Sequence, residues 1–210
     1  MSTLGEVKAA LSVLAFGLTG GISPSIHAFN EAFASKAGQE ALRAHVTLLH
    51  CTTQYPAPFD SVNLKVLVSM QAAFGLRIGY SDHTPGSVVV SAAVALGARV
   101  IEKHFTLDKN FPGPDHKASL EPSELHQMVD SIRTVEQSLG NGEKVPHDTE
   151  LDNRSVARKS LVAARAITKG ELFSRDSVAV KRPGIGRSPM EYWDILGRES
   201  NKSYEFDEFL

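Results

Sequence analysis

The stretch from Leu76 to Phe105, LRIGYSDHTPGSVVVSAAVALGARVIEKHF, contains two short apolar runs, each ending in an acidic residue and a histidine. LRIGYSDH and RVIEKHF read as strands, because each is a short apolar run bounded by loop signals. The small-residue segment between them, GSVVVSAAVALGA, reads as a helix that stops at Gly97. Strand, helix and strand in that order make a parallel βαβ unit, since parallel neighbours need a crossover connection.

The same alternation extends in both directions. STLGEVKAALSVLAF opens with Thr3 and Glu6 at capping-box spacing, and Leu4, Val7, Leu11 and Leu14 mark one apolar face of a helix. HVTLLHCT reads as a buried strand of about five residues. DSVNLKVLVSMQAAFG reads as a helix with Leu64, Leu67, Val68 and Met70 inward and Gly75 at its end. Beyond the third strand, EPSELHQMVDSIRTVEQSLG forms a long amphipathic helix on Leu125, Met128, Val129, Ile132 and Val135. The predicted order is α, β, α, β, α, β, α. In parallel sheets and barrels of this kind, functional groups gather where strands end and loops begin. His50, His83 and His104 each close a predicted strand, which predicts three imidazoles on one rim.

The polar segment NGEKVPHDTELDNRSVARK breaks the pattern and reads as a linker. After it, SLVAARAITKGELFSRDSVAVKRPGIGRSP shows short β-like runs with turn residues and no long helix, which suggests a small, mostly β second domain. A content of 42% hydrophobic and 22% charged residues is ordinary for a globular protein of one or two domains. No apolar run approaches the roughly 20 residues of a membrane span, and no basic segment precedes an apolar one at the N-terminus, so a cytoplasmic location is expected. The single cysteine, Cys51, excludes an internal disulfide and a cysteine zinc site. A net charge of −2 without a clustered basic face argues against nucleic acid, leaving small molecules as the expected partners.

LLHCTTQYPAPFDSVNL, GYSDHT, ALGARVIEKHFTLDKNFPGPDH and, near the end, ITKGELFSRDSVAVKRPGIGRSP with YWDILGR resemble the sialic acid synthase family, whose members make N-acetylneuraminate, legionaminate or pseudaminate. The resemblance runs from the first residues to the last. It implies an α/β fold of the (β/α)8 TIM-barrel type over residues 1–139, a linker at 140–156 and a small antifreeze-like (SAF) domain at 157–210. In the family, a segment like MSTLGEV begins just after a strand midway round the barrel. The resemblance therefore implies only the last three strands and their helices, with Met1 an internal methionine of a longer protein or the sequence a fragment. Three strands do not close a barrel, so little or no product is expected from these residues alone.

The resemblance also assigns roles. His83 and His104 match two metal-binding histidines; the alternative is a hydrogen-bonded pair at two strand ends. Two imidazoles with the other positions left to water and substrate suit a catalytic cation, manganese or magnesium in the family, although imidazole alone does not exclude zinc. Glu102 lies two residues before His104 on the same strand face, for acid–base work or for orienting a ligand. Ser81 matches a phosphate-contacting serine, and Asp82 reads as an orienting residue behind it. Tyr55 and Asp115 match positions that hold the amino-sugar, with a simple turn aspartate the alternative for Asp115. Thr53 stands where some members have asparagine. Arg182 matches an arginine that the second domain inserts into the partner subunit's barrel, which implies a homodimer; the alternative is an exposed arginine before a turn proline. His50 has no firm role, Cys51 reads as a small buried hydrophobe, and the other histidines read as surface or local hydrogen-bonding residues.

The implied reaction condenses phosphoenolpyruvate with an N-acetylmannosamine-like aldehyde, giving a nine-carbon acid and phosphate. The rival is a non-catalytic remnant whose second domain serves assembly or sugar binding.

Overall fold

A computed structural model describes all residues, Met1–Leu210. The chain divides into two compact units, Met1–Gly142 and Glu143–Leu210.

The first unit is built on a parallel three-stranded sheet in the order β1 (Thr47–Cys51), β2 (Arg77–Asp82), β3 (Val100–Lys103). Helices α4 (Lys65–Phe74) and α5 (Val88–Ala95) make the crossovers, and α6 (Pro122–Ser138) follows β3. Gly75 ends α4 in the left-handed conformation (φ 63°) that a residue with a Cβ adopts at a cost. Alternation along the strands divides the side chains between two faces. Ile78 and Tyr80 pack with Leu67, Met70 and Ala93 in a core that Leu48 and Ile101 border. A second cluster joins Val90 to Leu120 and Met128 of the α6 side. The opposite face carries Ser81 and Glu102 in register, and Val100 there is 43% exposed.

Two helices unmarked by the sequence pattern precede β1: α2 (Ile26–Ala34) and α3 (Lys36–His45). They join α1 (Leu4–Leu18) around Leu11, Ala15, Leu42 and Leu76. The α1 capping box forms as expected, with Thr3 Oγ1 accepting from the Glu6 N–H and the Glu6 carboxylate accepting from the Thr3 N–H. The inward stripe is narrower than expected, however. Leu4 and Leu14 on α1, Val68 on α4 and Val129 on α6 are exposed to a third or more, because Leu11, Ser12 and Ala15, Leu67 and Met70, and Met128 occupy the buried positions.

In the second unit, β4 (Ser160–Ala163) pairs antiparallel with β5 (Val178–Lys181). Leu161, Ala163, Ile167, Phe173, Val178, Ile195 and Tyr204 form its core. Single bridges at Val162–Phe209, Ile167–Tyr204 and Leu172–Glu199 tie the C-terminal segment to it. The polar stretch expected to be a linker contains a helix, α7 (Asp148–Ala157), while later helical structure is limited to a 3₁₀ turn (Pro189–Glu191) and the single turn α8 (Tyr192–Ile195). α7 buries no residue, so no apolar period marked it in advance.

Candidate functional site

β2 and β3 run side by side with Asp82 opposite Lys103, so the residues that follow, His83 and His104, emerge together. Their ring centres lie 5.2 Å apart with planes at 75°. Tyr55, from the loop after β1, closes the group: its ring centre is 4.2 Å from that of His83 and 5.4 Å from that of His104. His83 is buried, and its Nδ1 lies 2.8 Å from the Thr52 carbonyl oxygen. A carbonyl oxygen only accepts, so Nδ1 carries the proton and Nε2 is left with a free lone pair. Cys51 Sγ is 3.6 Å from the same Nδ1, on the side away from that lone pair. His104 is half-buried and held by ring contacts.

The expectation of three imidazoles on one rim is corrected at His50. In register, His50 lies opposite Tyr80, whose side chain is in the helix-facing core, and its Nε2 is 2.7 Å from the Val62 carbonyl. One residue of strand parity turns it away from the face that carries Ser81 and Glu102. His116 lies 2.7 Å from Thr106 Oγ1, His27 and His126 are exposed beside a carboxylate one turn on, and His147 caps α7.

Ser81 Oγ donates to Glu102 Oε1 at 2.5 Å across the two strands. Glu102 is otherwise exposed on the open face. Thr53 is exposed and lines a separate depression of about 380 Å³ with Leu49, His50, Cys51 and Val66. Asp115 is exposed at the start of a 3₁₀ turn, His116–Ala118, and its carbonyl accepts from Ser119 Oγ. Nearby, Pro114 and Lys117 line a cleft of about 320 Å³ together with Tyr55 and Pro85. Arg182 belongs to the second unit; its Nε donates to the Ala157 carbonyl at 3.0 Å and the side chain is exposed.

No group of three or more histidine, cysteine or acidic side chains gathers as a metal cage. A cation at His83 and His104 would therefore have two protein ligands. With ligand bonds of about 2 Å, each ring centre would stand about 3 Å from the ion, which the observed ring separation accommodates. The free Nε2 of His83 and the backbone partner of its Nδ1 fit that role. No helix is long and apolar enough to cross a membrane.

The NeuB family model matches residues 1–144. The chain belongs to the NeuB family. A SAF domain follows at residues 158–208, so the NeuB unit, an α/β domain of the TIM-barrel type with a parallel sheet, and the SAF unit stand in the expected order. The NeuB chain is 48% identical over 210 residues to an N,N'-diacetyllegionaminic acid synthase of Campylobacter jejuni, covering 100% of this chain and 56% of that protein. A pseudaminic acid synthase of another Campylobacter jejuni strain is 42% identical over 172 residues, covering 82% of this chain and 50% of that one. The chain thus spans about half the length of these relatives. Among solved structures, an N-acetylneuraminic acid synthetase of Leptospira borgpetersenii, in complex with citrate, superimposes with a TM-score of 0.52 at 30% identity, covering 69% of this chain and 51% of that one. The chain's matched relatives thus include synthases of the nonulosonic acids legionaminic and pseudaminic acid.

The sequence reading passed over Lys103. Its side chain is 3% exposed and pairs with the fully buried Asp82 at 2.7 Å. The signal was present in VIEKHF, where Lys103 falls on the same alternate set as Ile101, the side of β3 that borders the core, a placement that demands a partner.

Proposed function

We propose that this chain carries part of the active site of a nonulosonic acid synthase that condenses phosphoenolpyruvate with an N-acylated amino-hexose. The observation that supports it most is the meeting of His83, His104 and Tyr55 beside the Ser81–Glu102 pair, at the ends of adjacent parallel strands. His83 and His104 would hold Mn²⁺ or Mg²⁺, which polarises the sugar aldehyde and favours the negative charge that develops on its oxygen.

In the reaction, the vinyl carbon of phosphoenolpyruvate attacks the aldehyde carbon and forms the new C–C bond. Glu102, on the same face, exchanges a proton through its Oε atoms near that aldehyde. Water adds to the former enol carbon, and phosphate leaves as the ketone forms. Ser81 has a single hydroxyl proton, donated to Glu102 in the free chain. Contact with a phosphate oxygen therefore requires this proton to turn from Glu102 to the ligand. Tyr55, which lines the proline-walled cleft, and Asp115, next in sequence to its Pro114, would hold the sugar. Arg182, exposed on the SAF unit, contacts the sugar bound to the other subunit of a homodimer.

The test is phosphate release from phosphoenolpyruvate with Mn²⁺ and mono- or di-N-acetylated amino-hexoses. It is run on this chain and on a form lengthened at its N-terminus to the span of the relatives, each with and without His83→Ala. Sugar-dependent release from the lengthened form, absent from its His83→Ala variant, is expected, with little or none from this chain alone. Release indifferent to the substitution, or none from either length with any sugar, overturns the reading.

A further inference from the structure

Behind the two histidines, on the helix-packed side of the sheet, lies a group of polar side chains that takes no direct part in the chemistry above. Asp82 and Lys103 face each other in register at the ends of β2 and β3, and each immediately precedes one histidine. Lys103 Nζ donates to Asp82 Oδ2 at 2.7 Å and also to the Thr84 carbonyl oxygen. Asp82 Oδ1 accepts from the Tyr80 hydroxyl and from the Thr84 N–H, both at 2.9 Å. The residues before and after His83 are thus bound to the residue before His104.

Burial makes this arrangement rigid. The two side chains are 3% and 0% exposed, so neither charge exchanges its partner for water. A buried ion pair is weak evidence for stability, because apolar replacements of similar volume are often neutral or stabilising. Its geometric effect is distinct: the β2–β3 ladder has four paired positions, and this pair joins the last of them, Asp82 and Lys103, through their side chains. Two ligands on separate strands share an ion only if their spacing is held to within about 0.5 Å.

We propose that Asp82 and Lys103 are positioning residues that set the distance between His83 and His104 for a shared divalent cation. The inference rests on the two-histidine reading given under the proposed function. Groups that orient metal ligands typically contribute about 10- to 100-fold to metal affinity.

The decisive variant is Asp82→Asn with Lys103→Met. Asparagine keeps an oxygen for the Tyr80 and Thr84 donors, methionine keeps the apolar stem of lysine, and the link between the strands is removed. Mn²⁺ binding by the whole chain is read from the electron paramagnetic resonance of the free ion, without any turnover, alongside the melting temperature. A loss of tenfold or more in affinity at a melting temperature within a few degrees of the parent is expected. Unchanged affinity overturns the positioning role and leaves the metal reading intact. No binding by the unsubstituted chain defeats both.

If the double variant does not fold, the unsubstituted chain supplies the test by linkage, since coupling between ion and network is reciprocal. Saturating Mg²⁺ should then slow hydrogen exchange at the Thr84 amide severalfold. Exchange that is the same with and without an ion shown to bind overturns the proposal.

Discussion

His83 and His104 differ in how they are held, and the difference has a measurable consequence. His83 has its tautomer fixed by the Thr52 carbonyl, whereas His104 is set by ring contacts with Tyr55 and His83. Under the proposed two-histidine reading, removing the His104 ring would take away a ligand but no buried hydrogen bond. His104→Ala should therefore lower Mn²⁺ affinity by about 100-fold or more while changing the melting temperature little, as read by titration and thermal unfolding. Both histidines were legible at the ends of adjacent strands because each follows a short apolar run that carries a carboxylate near its end. His50 was misassigned to the same rim for a reason of parity: the run TLLHC shows no alternation of polar and apolar residues, so its pattern does not say which alternate set faces the helices. Only the pairing of His50 with Tyr80 decides it.

Elements were readable in proportion to how much apolar surface they bury. α6 was legible from its apolar stripe; its capping box, in which the Glu121 and Glu124 carboxylates accept from the backbone at the first turn, emerged with the structure. Lys109 adds a contact that the stripe does not announce: its ammonium bonds Glu124 Oε1 at 2.5 Å. That hydrogen bond first, and the Glu121 N–H second, hold the Glu124 carboxyl below its ordinary value of 4.5. A carboxyl whose folded value is depressed stabilises the fold above its unfolded value and ceases to do so as the pH falls through the folded one. Glu124→Gln should accordingly weaken the chain at neutral pH and make its stability less sensitive to acid below about pH 4.5, which urea unfolding across pH 3 to 7 would record. A variant with the same acid dependence as the parent would leave Glu124 without this role. α2, α3 and α7 escaped the pattern because α2 and α7 bury nothing and α3 buries only Gly38 and Leu42. Side-chain caps start them instead. Ser35 both ends α2 and accepts from the Gly38 N–H to begin α3, and His147 caps α7.

The molecule as a whole consists of two units with separate cores, and a cavity in one is expected to stay local. Leu161 is fully buried in the second core. Leu161→Ala should cost that unit about 2–5 kcal/mol. Amide exchange at β4 and β5 should accelerate accordingly, while Ile78 and Tyr80 in the first core keep their protection. Equal acceleration in both would mean that the two cores unfold together. The amino-acid sequence by itself determined the alternation of strands and helices, the glycine stops, the α1 capping box and the motifs of the family, because these rest on period and on contacts within about four residues. Tertiary structure alone decided which of those residues meet. Ser81 with Glu102, and Asp82 with Lys103, are each 21 positions apart. Their meeting depends on the register of two parallel strands, and that register follows from how Ile78, Tyr80 and Ile101 pack beneath the helices, a non-local choice that no short stretch of the chain contains.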